Sequence, residues 1–199
     1  MCGRGPVADK SALGYIEQMA ASPAFQRWAN ALTLLRLLSM LPCAWAVVAS
    51  NWAVAAALFV LAVVTDLADG PVARRADTPS ALGGLFDHGT DALFVVVLLF
   101  ALNSHAYIPW VLPGLVAIAF AQYVWDSRAH SAKPLRASWL GRCNGVAYFV
   151  LVGIPVIRNA LSLQWPDDLL ITILAWALVA TTLASIVNRW LSYRHTQTP

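Results

Sequence analysis

The sequence contains six apolar runs, each close to the length of about 20 residues that an α-helix needs to cross the hydrocarbon core of a bilayer. Hydrophobic residues make up 59% of the 199 residues and charged residues only 12%, about half the charged fraction of a soluble domain. One soluble core cannot hold this much apolar surface. We therefore predict an all-α integral membrane protein with six transmembrane helices, at residues 31–50, 53–73, 84–104, 107–125, 143–163 and 168–188.

The basic residues indicate the orientation of these spans. Twelve of the 13 Lys and Arg residues lie at the N-terminus, in or beside the second and fourth connections, or at the C-terminus, and only Arg158 lies on the other side. Short loops rich in Lys and Arg stay in the cytoplasm, so both termini are predicted to be cytoplasmic. This topology and the attraction of anionic lipid head groups account for the net charge of +3, and no nucleic-acid partner is expected.

The segment before the first span mixes polar and apolar residues. Over residues 11–29 the apolar residues recur at roughly helical spacing, which predicts an amphipathic helix lying in the membrane interface. Pro23 is expected to bend or break that helix. The predicted organisation is an interfacial segment at 1–30, a six-helix membrane domain at 31–190 and a cytoplasmic tail at 191–199.

Four aspartates lie in or beside the second and third spans, where a charge costs at least about 2.5 kcal/mol. Asp66 and Asp69 are three positions apart and Asp87 and Asp91 four, so each pair lies on one face of its helix. A short connection joins the two spans, which we expect to be antiparallel neighbours with both pairs at a similar depth. Asp66 precedes Arg74, at the cytoplasmic boundary, by about 12 Å of helix, so the site is predicted to face the cytoplasm.

Four converging carboxylates repel one another unless cations neutralise them. Carboxylate oxygens are ligands that Mg²⁺ prefers, and two such ions balance four charges. A pair of divalent ions about 4 Å apart is a recurrent device for phosphoryl transfer. We therefore predict two Mg²⁺ ions per site, with Mn²⁺ as the alternative. The alternative is that the four aspartates pair with intramembrane cations. It is disfavoured because the only candidates nearby in the sequence are Arg36, Arg74 and Arg75.

Small residues accompany the acids, and small side chains allow a bulky ligand such as a nucleotide to approach closely. Gly70 follows Asp69 directly, Ala73 lies one turn on, and Gly83 lies near the start of the third span. Arg74, one turn beyond Gly70, can bind a phosphate with its planar fork.

Together these residues form the pattern Asp66-x-x-Asp69-Gly70-x-x-Ala73-Arg74, then after eight residues Gly83, and then Asp87 and Asp91 at four-residue steps. The pattern resembles, at all eight fixed positions and every spacing, the signature of the CDP-alcohol phosphotransferases. The resemblance implies an integral membrane enzyme, usually a homodimer, that moves a substituted phosphate from a CDP-linked donor to a small alcohol and releases CMP. It also implies the bacterial inner membrane, with the active site facing the cytoplasm.

The resemblance assigns roles to individual residues. It implies metal ligation by Asp66, Asp69, Asp87 and Asp91. It implies binding of the donor nucleotide and pyrophosphate by Asp69, Gly70, Ala73, Arg74 and Gly83. Asp91 is in addition the implied catalytic base, and a carboxylate at the end of the acidic row can accept the proton of an attacking hydroxyl.

The alcohol acceptor is indicated by weaker features. Asn30-x-Leu32-Thr33-x-x-Arg36 is similar to the start of the first span in phosphatidylglycerophosphate synthases and related phosphatidyltransferases, which usually have Pro at the position of Ala29. This similarity favours CDP-diacylglycerol as donor and an acceptor such as glycerol 3-phosphate. The candidate acceptor-binding residues are Arg36, Lys133, Arg136 and Arg142, and for Lys133 and Arg136 a role in topology alone is an equal alternative.

Other functions remain open from the sequence. The nearest is a phosphotransferase that moves a CDP-linked head group to a lipid alcohol. An intramembrane prenyltransferase also uses aspartates and Mg²⁺, but such enzymes usually have more spans and acidic motifs far apart in the chain. A transporter or ion pathway can use intramembrane acids, but it leaves Arg74 and the glycines unexplained.

Overall fold

The computed structural model describes residues 23–73, 81–105, 107–129 and 139–197, with side chains over 31–67, 88–105, 107–125 and 139–191. Within these residues the chain forms six α-helices, and each overlaps one predicted span. The prediction of an all-helical protein is therefore confirmed. The helices are α1 (Pro23–Val48), α2 (Trp52–Ala73), α3 (Ala81–Asn103), α4 (Val111–Ala129), α5 (Trp139–Ala160) and α6 (Asp168–Gln197).

Several helices have apolar stretches of membrane-spanning length. In the described part of the chain, three are long and apolar enough to cross a membrane: Ala31–Val48, Trp139–Ala160 and Asp168–Leu191. In the other three helices the apolar stretches reach the limits of the described side chains, at Trp52–Leu67, His88–Asn103 and Val111–Trp125. The six-span topology stays a prediction.

The first helix starts earlier than the first predicted span. Residues 11–22 of the predicted interfacial helix lie outside the described residues, and residues 23–30 continue without interruption into α1. Pro23 is the first residue of that helix, a position where its missing N–H leaves no hydrogen bond unmade. At the other end of the chain, α6 continues past residue 190 to Gln197.

Tight turns end α1 and α5. Ser50 adopts a left-handed conformation (φ 57°), and the amide of Asn51 donates a 2.8 Å hydrogen bond back to the carbonyl of Ala46. Ser162 (φ 53°) ends α5 in the same way. This arrangement satisfies carbonyls that the helix end leaves without partners, and it reverses the chain within a few residues.

The three turns that join α1 to α2, α3 to α4 and α5 to α6 lie together at one end of the bundle, the turn end. His105 Nε2 lies 2.9 Å from the carbonyl oxygen of Val47. Arg158 donates a 3.0 Å hydrogen bond to the Tyr107 hydroxyl and a 2.6 Å hydrogen bond to Asp168. These polar contacts hold the turns to one another, so the C-terminal ends of α2 and α4 and the N-terminal ends of α3 and α5 lie at the opposite end.

The centre of the bundle is filled by aromatic rings at close helix crossings. Phe59 of α2 stacks on Phe94 of α3 at a centroid distance of 6.4 Å, and Phe94 stacks on Phe149 of α5 at the same distance. A Cβ added to Gly153 would lie 3.0 Å from the Phe59 ring. The absence of a side chain at Gly153 therefore lets α5 pack closely against α2.

The outside of the bundle is also apolar. Leu38, Leu41 and Val146 are each more than 60% exposed, and large exposed apolar surfaces of this kind are unusual in soluble monomers. Trp110 and Trp165 at the turn end and Trp139 at the opposite end are exposed as well. Tryptophan favours the two membrane–water interfaces, so the surface is that of an integral membrane protein.

Candidate active site

Asp66 of α2 and Asp91 of α3 meet at one guanidinium group supplied by α1. Arg36 Nη2 lies 3.3 Å from Asp66 Oδ1, and Arg36 Nη1 donates a hydrogen bond to Asp91 Oδ1. The Arg36 side chain is fully buried, whereas the side chains of Asp66 and Asp91 are 38% and 19% exposed. The structure thus brings together two of the predicted metal ligands and a residue that the sequence suggested for the acceptor.

The helix that carries Arg36 determines this arrangement. Over the described residues, α1 packs against α2 and against α3 more extensively than α2 and α3 pack against each other. The two acids therefore converge across α1, and their convergence depends on its position. Direct pairing of the acids with arginines was disfavoured from the sequence, and the ion pairs of Arg36 with Asp66 and Asp91 correct that prediction.

The other motif residues are described only in part. Asp69, Gly70 and Ala73 lie in α2, and Gly83 and Asp87 lie in α3, but their side chains are outside the described residues. Arg74, Lys133 and Arg136 lie outside the described residues altogether. Among the described side chains no group of three metal-ligating residues occurs, since only two of the four aspartates belong to that set.

The donor set that is described fits a divalent cation. Asp66 and Asp91 present hard carboxylate oxygens from two helices within reach of one positively charged group, which is the donor chemistry that Mg²⁺ and Mn²⁺ favour. Asp69 follows Asp66 by three positions and Asp87 precedes Asp91 by four, so both lie about one helical turn closer to the end opposite the turns. Helical geometry places each on the same face as its partner.

A cavity of about 470 Å³ opens beside these acids, large enough for a small-molecule substrate. Asp66 and Asp91 form the acidic part of its lining. Arg142 of α5 and Arg189 of α6 form a basic part. Much of the remaining lining is apolar or aromatic, including Phe120 and Phe149. One cavity thus joins groups that can handle cations and protons to groups that can bind an anion.

Arg189 is a candidate binding residue that sequence analysis missed, because its charge was counted only as a determinant of topology. Its guanidinium carbon lies 5.7 Å from the centre of the Tyr123 ring, a cation–π geometry. Ser185, buried and one turn earlier on α6, lines the same cavity. The four-residue spacing of Ser185 and Arg189 was the signal available in the sequence. It indicates a binding site only when α6 is known to face the acids.

The remaining acceptor candidates occupy different places. Arg142 lines the cavity, and so does Gly145 one turn further along α5. A Cβ added to Gly145 would meet no atom within 4 Å, so the space beside it is open. Arg36 is not among the residues that line the cavity; its guanidinium lies buried against the acids.

A polar contact fixes α5 to α6 and so fixes the two helices that carry the cavity arginines. The Tyr148 hydroxyl, which lines the cavity, lies 2.6 Å from Thr182 Oγ1. Thr182 in turn donates a 2.5 Å hydrogen bond to the carbonyl of Leu178. In an apolar bundle a satisfied polar contact of this kind also specifies which faces of the two helices meet.

Comparison with known proteins identifies the family. The sequence profile described as CDP-alcohol phosphatidyltransferase matches residues 27–187, which include all six helices in whole or large part. The chain belongs to the CDP-alcohol phosphatidyltransferase family. It is an enzyme of that type, and members of the family act on CDP-alcohol donors and alcohol acceptors and generally depend on a divalent metal.

Several bacterial relatives are similar over much of the chain. A protein of Sodalis glossinidius named CDP-diacylglycerol--glycerol-3-phosphate 3-phosphatidyltransferase is 26% identical over 70% of this chain and 75% of its own length. The Yersinia enterocolitica protein of the same name is 24% identical over 78% of this chain and 80% of its own length. The Escherichia coli K12 protein is 29% identical over 57% of this chain and 63% of its own length. No solved structure matches significantly.

Proposed function

We propose that this phosphatidyltransferase transfers the phosphatidyl group of CDP-diacylglycerol to a small phosphorylated alcohol, with glycerol 3-phosphate as the first candidate. The observation that carries the proposal is the shared cavity, in which Asp66 and Asp91 stand with Arg142 and Arg189. A phosphorylated acceptor needs a cationic group for its phosphate and a proton acceptor for its hydroxyl, and this cavity contains both. The names of the bacterial relatives agree with this choice of substrates.

In the proposed reaction, Arg142 and Arg189 bind the phosphate of the acceptor through charge-assisted hydrogen bonds. That binding directs the acceptor hydroxyl toward Asp91. The hydroxyl oxygen forms a new bond to the phosphorus next to the diacylglycerol, and the bond from that phosphorus to the bridging oxygen of the pyrophosphate breaks. CMP leaves with that oxygen, and the carboxylate of Asp91 takes the hydroxyl proton.

Four aspartates, Asp66, Asp69, Asp87 and Asp91, are proposed to hold two Mg²⁺ ions, which stabilise negative charge on the entering and leaving oxygens. Gly70, Ala73 and Gly83 leave room for the cytidine nucleotide. Arg74 is proposed to bind the donor pyrophosphate, and Lys133 and Arg136 to assist in binding the acceptor phosphate. The apolar outer surface keeps the lipid chains of the donor within the bilayer while its head group reaches the acids.

The proposed setting is a homodimer in the bacterial inner membrane, with six spans and the active site facing the cytoplasm. The charge distribution supports this orientation, because Arg158, at the turn end, is the one basic residue assigned to the outer side. Cysteine accessibility in intact cells tests it. A reporter cysteine at residue 78, in the α2–α3 connection, is expected to be shielded from an impermeant reagent, while one at residue 164 is expected to react.

Release of CMP tests the reaction. The purified protein is incubated with CDP-diacylglycerol, Mg²⁺ and one acceptor at a time, chosen from glycerol 3-phosphate, inositol phosphate, serine and phosphatidylglycerol. We expect CMP with a phosphorylated acceptor, loss of CMP with EDTA and its return with added Mg²⁺. Turnover with a CDP-linked head group and diacylglycerol, but none with CDP-diacylglycerol, would refute the proposed direction of transfer.

A further inference from the structure

Arg36 occupies the place where a positive charge is needed among the aspartates. It is fully buried, and it contacts carboxylates from two other helices. Removing one partner of a buried ion pair is strongly destabilising because the remaining charge loses its compensation. Arg36 is the buried partner here, and Asp66 and Asp91, which are partly exposed, are stabilised by its guanidinium as long as no other cation neutralises them.

We propose that Arg36 is a resident counter-cation of the metal site. It neutralises Asp66 and Asp91 and ties α1 to α2 and α3 while no divalent cation is bound, and it yields part of these contacts when the cation binds. The inference rests on the proposed function, since it requires that the same carboxylates take a metal. Arginine suits the task because its fork binds two carboxylates at once and remains charged at every accessible pH.

This role differs from the acceptor-binding role suggested by the sequence. A residue that binds the acceptor phosphate lines the cavity, as Arg142 and Arg189 do. The Nη1 and Nη2 donors of Arg36 are directed at Asp91 and Asp66, and Arg36 does not line the cavity. Its contacts therefore tie it to the acids and, through them, to the cation.

The proposal has a thermodynamic consequence with a definite sign. Arg36 and a divalent cation neutralise the same carboxylates, so the presence of one reduces the stabilisation that the other provides. Replacing Arg36 by an uncharged residue therefore destabilises the metal-free protein more than the metal-bound protein. An orienting role, in which Arg36 holds the carboxylates ready for the metal, has the opposite sign, because loss of such a partner typically lowers metal affinity about 10- to 100-fold.

Thermal unfolding of the full chain in detergent measures this coupling. Wild type, Arg36→Met and Arg158→Met are prepared in Mg²⁺ and unfolded in EDTA and in saturating Mg²⁺. We expect the Mg²⁺-dependent rise in melting temperature to be larger in Arg36→Met than in wild type by about 5 °C or more. Arg158→Met is the matched control, since it removes another buried arginine that pairs with an aspartate, at the turn end. Its Mg²⁺-dependent rise should equal that of wild type.

The alternative results overturn the proposal in distinguishable ways. An equal rise in Arg36→Met and wild type means that Arg36 contributes only to packing, and a smaller rise means that it orients the ligands. If neither protein responds to Mg²⁺, the metal site itself fails, and the CMP assay then decides the proposed reaction separately.

A second variant covers the case in which Arg36→Met cannot be recovered. Arg36→Lys keeps one positive charge but lacks the fork, so its Mg²⁺-dependent rise should also exceed that of wild type, by a smaller margin. A rise no larger than that of wild type contradicts the proposal. In an Asp91→Asn background the cost of Arg36→Met in EDTA should shrink, because one of the charges that Arg36 neutralises is absent.

Discussion

Arg36 and Asp91 are 55 positions apart in the sequence, and their side chains form an ion pair inside the bundle. The pair joins the first helix of the membrane domain to the helix that carries the proposed catalytic base. A change that displaces α1 is therefore expected to displace the side chain of Asp91 as well, although α1 contributes none of the four aspartates of the motif.

Asp91→Asn tests the proposed base. The amide cannot accept the hydroxyl proton, so we expect the rate of CMP release to fall by at least about 100-fold, while CDP-diacylglycerol still binds. Single-turnover CMP release and binding of labelled donor measure the two effects. Asp168→Asn is the control, since it makes the same chemical change at an exposed acid of the turn end. Turnover of Asp91→Asn at the wild-type rate would remove Asp91 as the base.

Arg142→Met and Arg189→Met test the proposed phosphate site. Each variant loses charge-assisted hydrogen bonds to the acceptor, so the KM for glycerol 3-phosphate should rise about tenfold to a hundredfold, with little change in the KM for CDP-diacylglycerol. Steady-state kinetics with each substrate varied in turn give both values. An equal rise in the KM values for donor and acceptor would show that the arginines do not distinguish the two substrates.

Gly153→Ala tests the close crossing of α5 and α2. The added Cβ would lie 3.0 Å from the ring of Phe59, which is packed against Phe94, so we expect a loss of about 1–3 kcal/mol in the free energy of unfolding. Phe59→Leu in the same chain should recover part of that loss. Gly114→Ala is the control, because a Cβ there meets nothing within 4 Å. Thermal or denaturant unfolding of the four proteins checks the prediction, and an equally stable Gly153→Ala would contradict it.

Arg158→Met tests whether the turn end is purely structural. The variant loses the hydrogen bonds to Tyr107, Asp168 and the Pro166 carbonyl, so stability should fall by about 1–3 kcal/mol. The kcat and both KM values should stay at wild-type levels, since none of these groups lines the cavity. Unfolding and CMP-release assays on one preparation give both results. A kcat reduced as far as that of Asp91→Asn would mean that the turn end controls the active site.

Much of the local structure could be predicted from the sequence. The apolar runs give the number and approximate bounds of the helices, because hydropathy and helical spacing are properties of neighbouring residues. The predicted spans leave gaps at residues 51–52 and 164–167, and the tight turns at Ser50 and Ser162 lie directly before these gaps. Pro23, which was expected to bend or break the interfacial helix, is the first residue of α1, a position to which its ring is well suited. Residues 11–22 lie outside the described residues, so the expected break stays a prediction.

The composition and spacing of the chain by themselves determined that it is helical, apolar on the outside and equipped with four aspartates at helical intervals, because these properties follow from residues close together in the sequence. Only the tertiary structure decided that Arg36 pairs with Asp66 and Asp91. It also decided that Arg189 lines the cavity beside these acids and that the Phe59 ring packs against Gly153. Each of these contacts joins residues of different helices that are at least 30 positions apart in the sequence. Their existence depends on which helix faces pack together, and no local pattern specifies that choice.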